Sequence, residues 1–176
     1  VINIDLQDFF DSFHFGRVCG FFEKNRDFAL PHELAIVMAQ LTCYQGKLPQ
    51  GAPTSPIITN YICQIFDMRI LKIAKKYHLD YTRYADDLSF STNDKKFISQ
   101  WEPFYNELTY EVERAGFKIN TKKTSVQYKD SRQTVTGLVI NKKLSVDHRY
   151  YKQVRAMADS LYKTGCFDNN GVEGTV

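Results

Sequence analysis

Two adjacent aspartates lie in the middle of the segment YTRYADDLSFS, which spans residues 81–91. After Asp86 and Asp87, apolar and polar residues alternate with the period of two that marks a half-buried strand, whereas aspartate itself favours turns. The segment is therefore predicted to be a strand, a turn and a second strand. Its carboxylates are either solvated turn residues or a pair held at the hairpin tip for a chemical purpose.

A third carboxylate, Asp5, follows the alternating run VINIDL and is predicted to lie at the end of a strand. If this strand and the hairpin are neighbours in one sheet, Asp5 and Asp86 lie at the same edge. Clustered carboxylates remain ionised only when a cation neutralises them, and Mg²⁺ or Mn²⁺ suits oxygen ligands. Because two such ions can activate an attacking oxygen and stabilise a leaving one, the residue types favour metal-dependent phosphoryl transfer.

The elements that must position these carboxylates are predicted from apolar spacing, helix caps and turn residues. They are a strand at 1–6, a short helix within 8–22, a helix from Pro31 to about Tyr44, a loop at 46–56, a helix to about Tyr77, a hairpin at 81–92, a helix ending at Gly116, three strands within 117–146 and a helix from 148 to about 163. This order predicts an α+β fold, with an antiparallel sheet and helices packed on one face.

Two details of the helices are also predicted. Apolar stripes are expected at Leu34, Val37, Met38 and Leu41 of one helix and at Ile58, Ile62, Ile65 and Ile73 of the next. Caps are expected at Pro31 as a first helical residue, at Thr54 or Ser55, at Asn93 or Asp94, and at Asp147.

Length and composition indicate a globular protein. The 176 residues are 43% apolar and 14% aromatic, which suits a domain with a packed core, and no apolar run approaches the length of a membrane span. The four cysteines form no CxxC pair, so reduced thiols in a cytoplasmic protein are expected. Metal ligation is expected at none of the histidines: His14, His32, His78 and His148. Because the chain opens on a strand without an initiator methionine, it is expected to be a fragment of a longer protein.

The net charge of +3 is unevenly distributed. Residues 1–68 hold four basic and seven acidic side chains, whereas residues 114–155 hold eleven basic and two acidic ones. This asymmetry indicates either a polyanion-binding face beside an acidic pocket or a merely solvated basic surface.

Five motifs stand in a fixed order along most of the chain: NIDLQDFF at 3–10, LPQGAPTSP at 48–56, YTRYADDLSFS at 81–91, AGFKINTKKT at 115–124 and VTGLVIN at 135–141. This series resembles the palm of reverse transcriptases, and most of all the bacterial retron branch. The resemblance implies a palm at residues 1–146, with part of the fingers at about 22–56, and the start of the thumb or connection helix at 147–176.

The resemblance also implies a catalytic set. Asp5 and Asp86 would bind two Mg²⁺ ions, with Mn²⁺ as a substitute, the carbonyl of Leu6 would add an oxygen ligand, and Asp87 would support the metal site. Lys123 would protonate the departing pyrophosphate. The alternative for this lysine is a phosphate contact or a solvated side chain, and the adjacent Lys122 makes the assignment ambiguous.

The remaining implied residues bind nucleotide or nucleic acid. Asp8 and Phe9 would offer backbone N–H groups to the triphosphate, Phe10 would exclude a ribose 2′-OH unless it is a core residue, and Gln50 with Gly51 would contact the incoming nucleotide and the template pair. Primer and template contacts are expected at Tyr84, Ala85, Gly137, Leu138, Arg149 and Lys152.

The expected activity is RNA-directed DNA polymerisation from dNTPs, on an RNA template with a DNA or RNA primer. A retron enzyme would copy part of a cognate noncoding RNA into branched RNA-linked DNA, with a possible effector protein in anti-phage defence and no membrane partner. The alternatives are a group II intron-like, CRISPR-associated or abortive-infection reverse transcriptase. A non-catalytic RNA-binding scaffold and a protein that binds metal only structurally are further alternatives.

Overall fold

A four-stranded antiparallel sheet organises the first of two units in this computed structural model, which describes residues 1–169 and 172–175. The units are Val1–Val126 and Gln127–Val176. The elements of the first unit are β1 (Ile2–Leu6), a 3₁₀ turn (Phe10–Ser12), α1 (Phe15–Lys24), α2 (His32–Thr42), α3 (Ser55–Ile62), α4 (Gln64–Lys76), β2 (Asp80–Tyr84), β3 (Asp87–Ser91), a second 3₁₀ turn (Lys95–Gln100), α5 (Trp101–Arg114) and β4 (Ile119–Val126).

The sheet has the order β2-β3-β1-β4, so the first strand of the chain is central. β1 pairs with β3, so that Ile2 lies opposite Phe90 and Asp5 lies opposite Asp87. On its other side β1 pairs with β4, with a register shift between Asn3 and Asp5. Alternation places Leu88 and Phe90 of β3 in the core, as the sequence pattern predicted. The prediction that the strand of Asp5 and the hairpin are neighbours in one sheet is confirmed. Asp5 and Asp87 lie opposite each other at one end of that sheet.

Aromatic side chains join the helices to the sheet. Phe90 of β3 packs edge to face on the fully buried Phe104 of α5, with ring centroids 5.1 Å apart. Phe66 of α4 packs on Phe117 at 5.2 Å. The left-handed Gly116 (φ +82°) follows the end of α5, as predicted. Asp94 caps the 3₁₀ turn that precedes α5. The α+β class, an antiparallel sheet backed by helices, is confirmed.

The helices before the hairpin differ from the prediction in three ways. The expected single helix to Tyr77 is broken at Cys63 into α3 and α4. Pro31 is the residue before α2 and not its first helical residue, and Thr54 precedes α3 without a side-chain cap. Ser55 instead donates its hydroxyl to the carbonyl of Pro49 at 2.7 Å, which holds the loop against the helix.

Parts of the predicted apolar stripes are exposed. α2 buries Ala35 and Ala39, and its larger residues Leu34, Val37 and Leu41 lie at the surface. On α4, Ile65 is exposed, and Phe66 and Ile70 take the buried positions. α2 packs against α1, and small buried residues allow two helices to approach closely, which the apolar spacing alone could not indicate.

The second unit contains a short hairpin, a helix and a second hairpin: β5 (Thr134–Val135), β6 (Leu138–Val139), α6 (His148–Thr164), β7 (Cys166–Asn169) and β8 (Val172–Thr175). Asp147 caps α6 by accepting from the Arg149 N–H at 2.7 Å, as predicted. The β7–β8 hairpin was not predicted. The predicted boundary at 146/147 falls inside this unit, and the palm, fingers and thumb assignments remain predictions. Among the described helices, none combines the length and apolar character needed to cross a bilayer.

Candidate active site

The β1–β3 pairing places the carboxylate-bearing residues side by side. Asp5 lies directly opposite Asp87 in the register, and the backbone N–H of Leu6 donates to the Asp86 carbonyl at 2.9 Å. Tyr84 and Asp87 close the β2–β3 ladder, which leaves Ala85 and Asp86 as a two-residue turn. The backbones of all three aspartates are therefore held by the central strands of the sheet.

Strained backbone occurs close in sequence to these aspartates, at Ala85 directly before Asp86 and at Asp8 three residues after Asp5. Ala85 (φ +51°) and Asp8 (φ +48°) are left-handed non-glycine residues, a conformation that costs roughly 1–2 kcal/mol for an L-residue. Such strain persists only where the surroundings over-determine it, and it is common at functional sites.

Arg83 supplies part of that support at the turn. Its side chain is only 5% exposed and donates from Nε and Nη2 to the two carboxylate oxygens of Asp67, both at 2.7 Å. Nη1 donates to the carbonyl of Ala85 at 3.0 Å. Tyr81 completes the network, donating its hydroxyl to Asp67 at 2.8 Å; burial and the Asp67 charge raise the pKa of this phenol. α4 is thereby tied to the hairpin tip.

The carboxylate cluster carries more negative charge than its surroundings neutralise. Asp5 is 8% exposed and accepts from Lys123 Nζ at 2.9 Å, which raises the pKa of this lysine. Burial raises the pKa of the Asp87 carboxyl, the charges of Asp86 and Asp5 raise it further, and Lys123 acts in the opposite direction. A cation bound among these oxygens would remove the repulsion.

A cavity of about 270 Å³ opens beside the carboxylates. Its lining includes eight of the predicted site residues: Asp5, Leu6, Asp8, Phe9, Phe10, Gln50, Asp86 and Lys123. Sequence reasoning missed three further members of the lining, Gln7, Asp11 and Asn120. Asn120 lies opposite Asp5 in the β1–β4 pairing, and its position in AGFKINTKKT gave no hint of this. Asp11 forms an ion pair with Lys47 at 2.6 Å.

The two adjacent phenylalanines divide between core and cavity. Phe9 is 3% exposed and packs on Phe13 and Phe117, at 4.9 and 5.3 Å between centroids. Phe10 is partly buried and lies against the edge of Phe9 at 5.4 Å. Since both residues line the cavity and the Phe9 ring is in the core, Phe10 is the aromatic side chain available to meet a ligand.

The other predicted contacts lie elsewhere. Gly51 has φ +90° and open space around the position of a Cβ, and Tyr84 is 72% exposed at the end of β2. Gly137 (φ +81°) and Leu138 lie in the β5–β6 hairpin of the second unit. Arg149 and Lys152 are exposed on α6.

The donor set suits a hard divalent cation. Asp5, Asp86 and Asp87 offer only carboxylate oxygens, the ligands that Mg²⁺ and Mn²⁺ prefer. Among the described residues, no set of carboxylate oxygens, one from each of these three aspartates, lies within 4.8 Å of one another. Their side chains would therefore have to rotate before all three could bind one ion.

Replacement of Asp87 by asparagine is expected to raise the Tm at neutral pH, measured with a chelator present. A carboxyl whose pKa is higher in the folded than in the unfolded chain binds its proton more tightly when folded, so its ionisation costs stability. That cost disappears as the pH falls through the raised pKa of Asp87, and the two unfolding curves should then converge. The control is Asp80→Asn at the opposite end of the same sheet. A lower Tm for Asp87→Asn at neutral pH would contradict this account.

Residues 1–140 match the family model described as reverse transcriptase (RNA-dependent DNA polymerase). The chain is 36% identical over 163 residues to the retron Ec86 reverse transcriptase of Escherichia coli, covering 92% of this chain and 49% of that protein. It is 37% identical over 166 residues to the retron Mx162 reverse transcriptase of Myxococcus xanthus, covering 80% and 34%. The chain thus spans between a third and a half of the length of these two relatives.

A solved structure with a similar fold is the apo telomerase of Candida tropicalis truncated from its C-terminal domain. It has a TM-score of 0.56 and 16% identity, over 83% of this chain and 35% of that one. At this identity the likeness concerns the fold alone, and it agrees with the polymerase palm-like architecture. The resemblance stated from the five motifs is confirmed by the family match and the retron relatives. The chain belongs to the reverse transcriptase (RNA-dependent DNA polymerase) family, within which it is similar to retron reverse transcriptases.

Proposed function

We propose that this chain is the catalytic part of an RNA-directed DNA polymerase of the retron type. The observation that carries the proposal is the register of Asp5 against Asp87 on adjacent strands, with Asp86 in the intervening turn. Three carboxylates are thereby held at one end of the sheet, with Asp5 and Asp86 lining the cavity.

In this proposal Asp5 and Asp86 hold two Mg²⁺ ions, replaceable by Mn²⁺, and Asp87 supports them. When bound, the ions would supply activation of the attacking 3′ oxygen and stabilisation of the leaving pyrophosphate. Leu6 contributes its carbonyl, and the residue is among those that line the cavity. Lys123 protonates the pyrophosphate. The cavity position of Lys123, one residue along β4 from Lys122, favours it over that neighbour for this role.

The incoming dNTP would lie against the segment from Asp8 to Phe10. The sign of φ changes between Asp8 (+48°) and Phe9 (−52°), an alternation that directs successive N–H groups into an anion-binding concavity. The backbone N–H groups of Asp8 and Phe9 are not donors in the turn and loop hydrogen bonds of the described residues. Both are therefore available for the triphosphate, with Gln50 and Gly51 at the base pair.

Replacement of Phe10 by valine is expected to increase NTP incorporation relative to dNTP incorporation by about 10–100-fold, a range set by what a pocket can discriminate by shape. The ring would otherwise occupy the space of the 2′-OH. The measurement is the ratio of kcat/KM for dGTP and GTP on one template. Phe21→Val, another partly buried phenylalanine packed on the core, is the matched control. An unchanged ratio with a lowered Tm would assign Phe10 to the core.

Contacts with primer and template would extend beyond the cavity. Tyr84 and Ala85 would adjoin the primer terminus, and Gly137 and Leu138 would hold the primer strand. Arg149 and Lys152, exposed on α6, would follow the phosphate backbone, a contact that is independent of sequence and weakened by salt. The cognate noncoding RNA, the priming 2′-OH and a possible effector protein in defence belong to the same proposal.

The test is primer extension by the full-length protein, with an RNA template, a DNA primer and Mg²⁺. Extension with dNTPs but not NTPs, lost in Asp86→Ala/Asp87→Ala, is the expected result. A protein that binds RNA tightly in low salt yet extends no primer, even when supplied with its cognate RNA, would instead be the polymerase-like scaffold.

A further inference from the structure

Three side chains of metal-binding type meet away from the carboxylate cluster. Sγ of Cys19, a carboxylate oxygen of Glu23 and a ring nitrogen of His32 all lie within 4.8 Å of one another. Cys19 and Glu23 are four residues apart on α1, which places them on the same face of the helix. His32 is the first residue of α2, the helix that packs against α1. Metal ligation was expected at none of the histidines because they are scattered along the sequence, whereas the packing of α1 against α2 brings His32 beside Cys19 and Glu23.

The spacing of two of these side chains matches that of neighbouring ligands in a tetrahedral metal site. Nδ1 of His32 lies 3.4 Å from Oε2 of Glu23, which is within ion-pair distance and at the long end for a hydrogen bond. Two ligands at about 2.0–2.2 Å from a tetrahedral Zn²⁺ are themselves roughly 3.3–3.6 Å apart. The observed separation therefore suits two ligands sharing an ion.

Burial is graded across the three side chains. Cys19 is buried at 7% exposure, whereas the side chains of Glu23 and His32 are 37% and 67% exposed. An ion could therefore enter from solvent past the imidazole and meet the thiolate at the bottom of the site.

The connection between the two helices is fixed by its own contacts. The N–H of Ala29 donates to the Asn25 carbonyl at 2.7 Å, and the N–H of Leu30 donates to the Phe22 carbonyl at 3.0 Å. Phe28 packs edge to face on Phe22, at 5.4 Å. Because these bonds set the path from Glu23 to His32, little ordering is left for metal binding to achieve.

We propose that Cys19, Glu23 and His32 form a Zn²⁺ site that clamps α1 to α2. A thiolate and an imidazole select a borderline-soft ion such as Zn²⁺ over Mg²⁺, which requires oxygen ligands. The three protein ligands leave a fourth position for water. The site would hold the helix pair in place and take no part in nucleotidyl transfer.

The test is metal binding by the full-length protein after removal of metals with a chelator. Titration with Co²⁺ is expected to produce a thiolate-to-metal charge-transfer band that one equivalent of Zn²⁺ abolishes, and Zn²⁺ should raise the Tm. Cys19→Ser should remove the band. His32→Gln, at an exposed position that tolerates substitution, should weaken Zn²⁺ binding at least tenfold in competition with a chromophoric chelator.

Controls separate this site from other thiols and from the carboxylates. Cys43→Ser and His78→Gln should leave both signals unchanged, and Asp86→Asn/Asp87→Asn should keep the charge-transfer band. The proposal is overturned if no band forms, if the band persists in Cys19→Ser, or if His32→Gln binds Zn²⁺ as tightly as the wild type.

Discussion

Replacement of Asp5 by asparagine is expected to reduce dNTP incorporation about 10³-fold and to change the Tm by no more than about 3 °C. The loss follows from removing a carboxylate proposed to hold both ions, whose combined effect on transition-state charge is several kcal/mol. Folding should be little affected because asparagine has the same shape. The ion-pair partner of Asp5, Lys123, is 65% exposed, so it returns to water with little effect on stability.

The measurement is single-turnover extension at saturating dNTP, paired with thermal unfolding. Asp80→Asn is the matched control, since Asp80 begins β2 at the far end of the same sheet; it should retain activity. Full activity of Asp5→Asn would remove this residue from the catalytic set, and a large loss of Tm would identify its role as structural.

Replacement of Arg83 by methionine is expected to lower the free energy of unfolding by about 3 kcal/mol, the lower end of the range for breaking a buried ion pair. The lower end applies because Asp67 remains 31% exposed. In a domain of this size the loss lowers the Tm by roughly 10 °C. Polymerase activity should fall with it, because the carbonyl of Ala85 loses the guanidinium that holds the turn.

Thermal and urea unfolding, with extension assays well below the Tm, separate the two effects. Arg114→Met is the control: this arginine also pairs with an acidic residue but is 51% exposed, so its loss should cost less than about 1 kcal/mol. Arg83→Lys keeps the charge without the two-pronged contact and should recover only part of the stability. A Tm for Arg83→Met equal to that of Arg114→Met would show that the network contributes little.

Local sequence patterns predicted much of the sheet and the positions of its carboxylates. β1 and β3 alternate in hydrophobicity, and the aspartates interrupt that alternation near the strand ends and at the turn, so their position at one end of the sheet could be predicted. The same holds for Asp147 before α6 and Gly116 after α5, because caps depend on residues a few positions apart.

Contacts between distant segments could not be predicted in this way. Arg83 and Asp67 are 16 residues apart on different elements, and nothing in YTRYADD indicates that its arginine is buried. The break at Cys63 and the exposed face of α2 depend on which neighbour each helix meets. Cys19, Glu23 and His32 become a group only when α1 and α2 pack together.

The central position of β1 sets the order in which the carboxylate cluster can form during synthesis. Asp5 cannot reach its final surroundings until β3 and then β4 have been synthesised, and Lys123 of β4 follows Asp5 by 118 residues. At about 5–20 residues per second, roughly 6–24 s pass between the synthesis of the two. During that time the apolar side chains of β1 lack their final neighbours, since closing so long a segment precedes any gain from strand pairing. A nascent chain stalled before residue 119 would expose this strand to chaperones or proteases without its β4 partner.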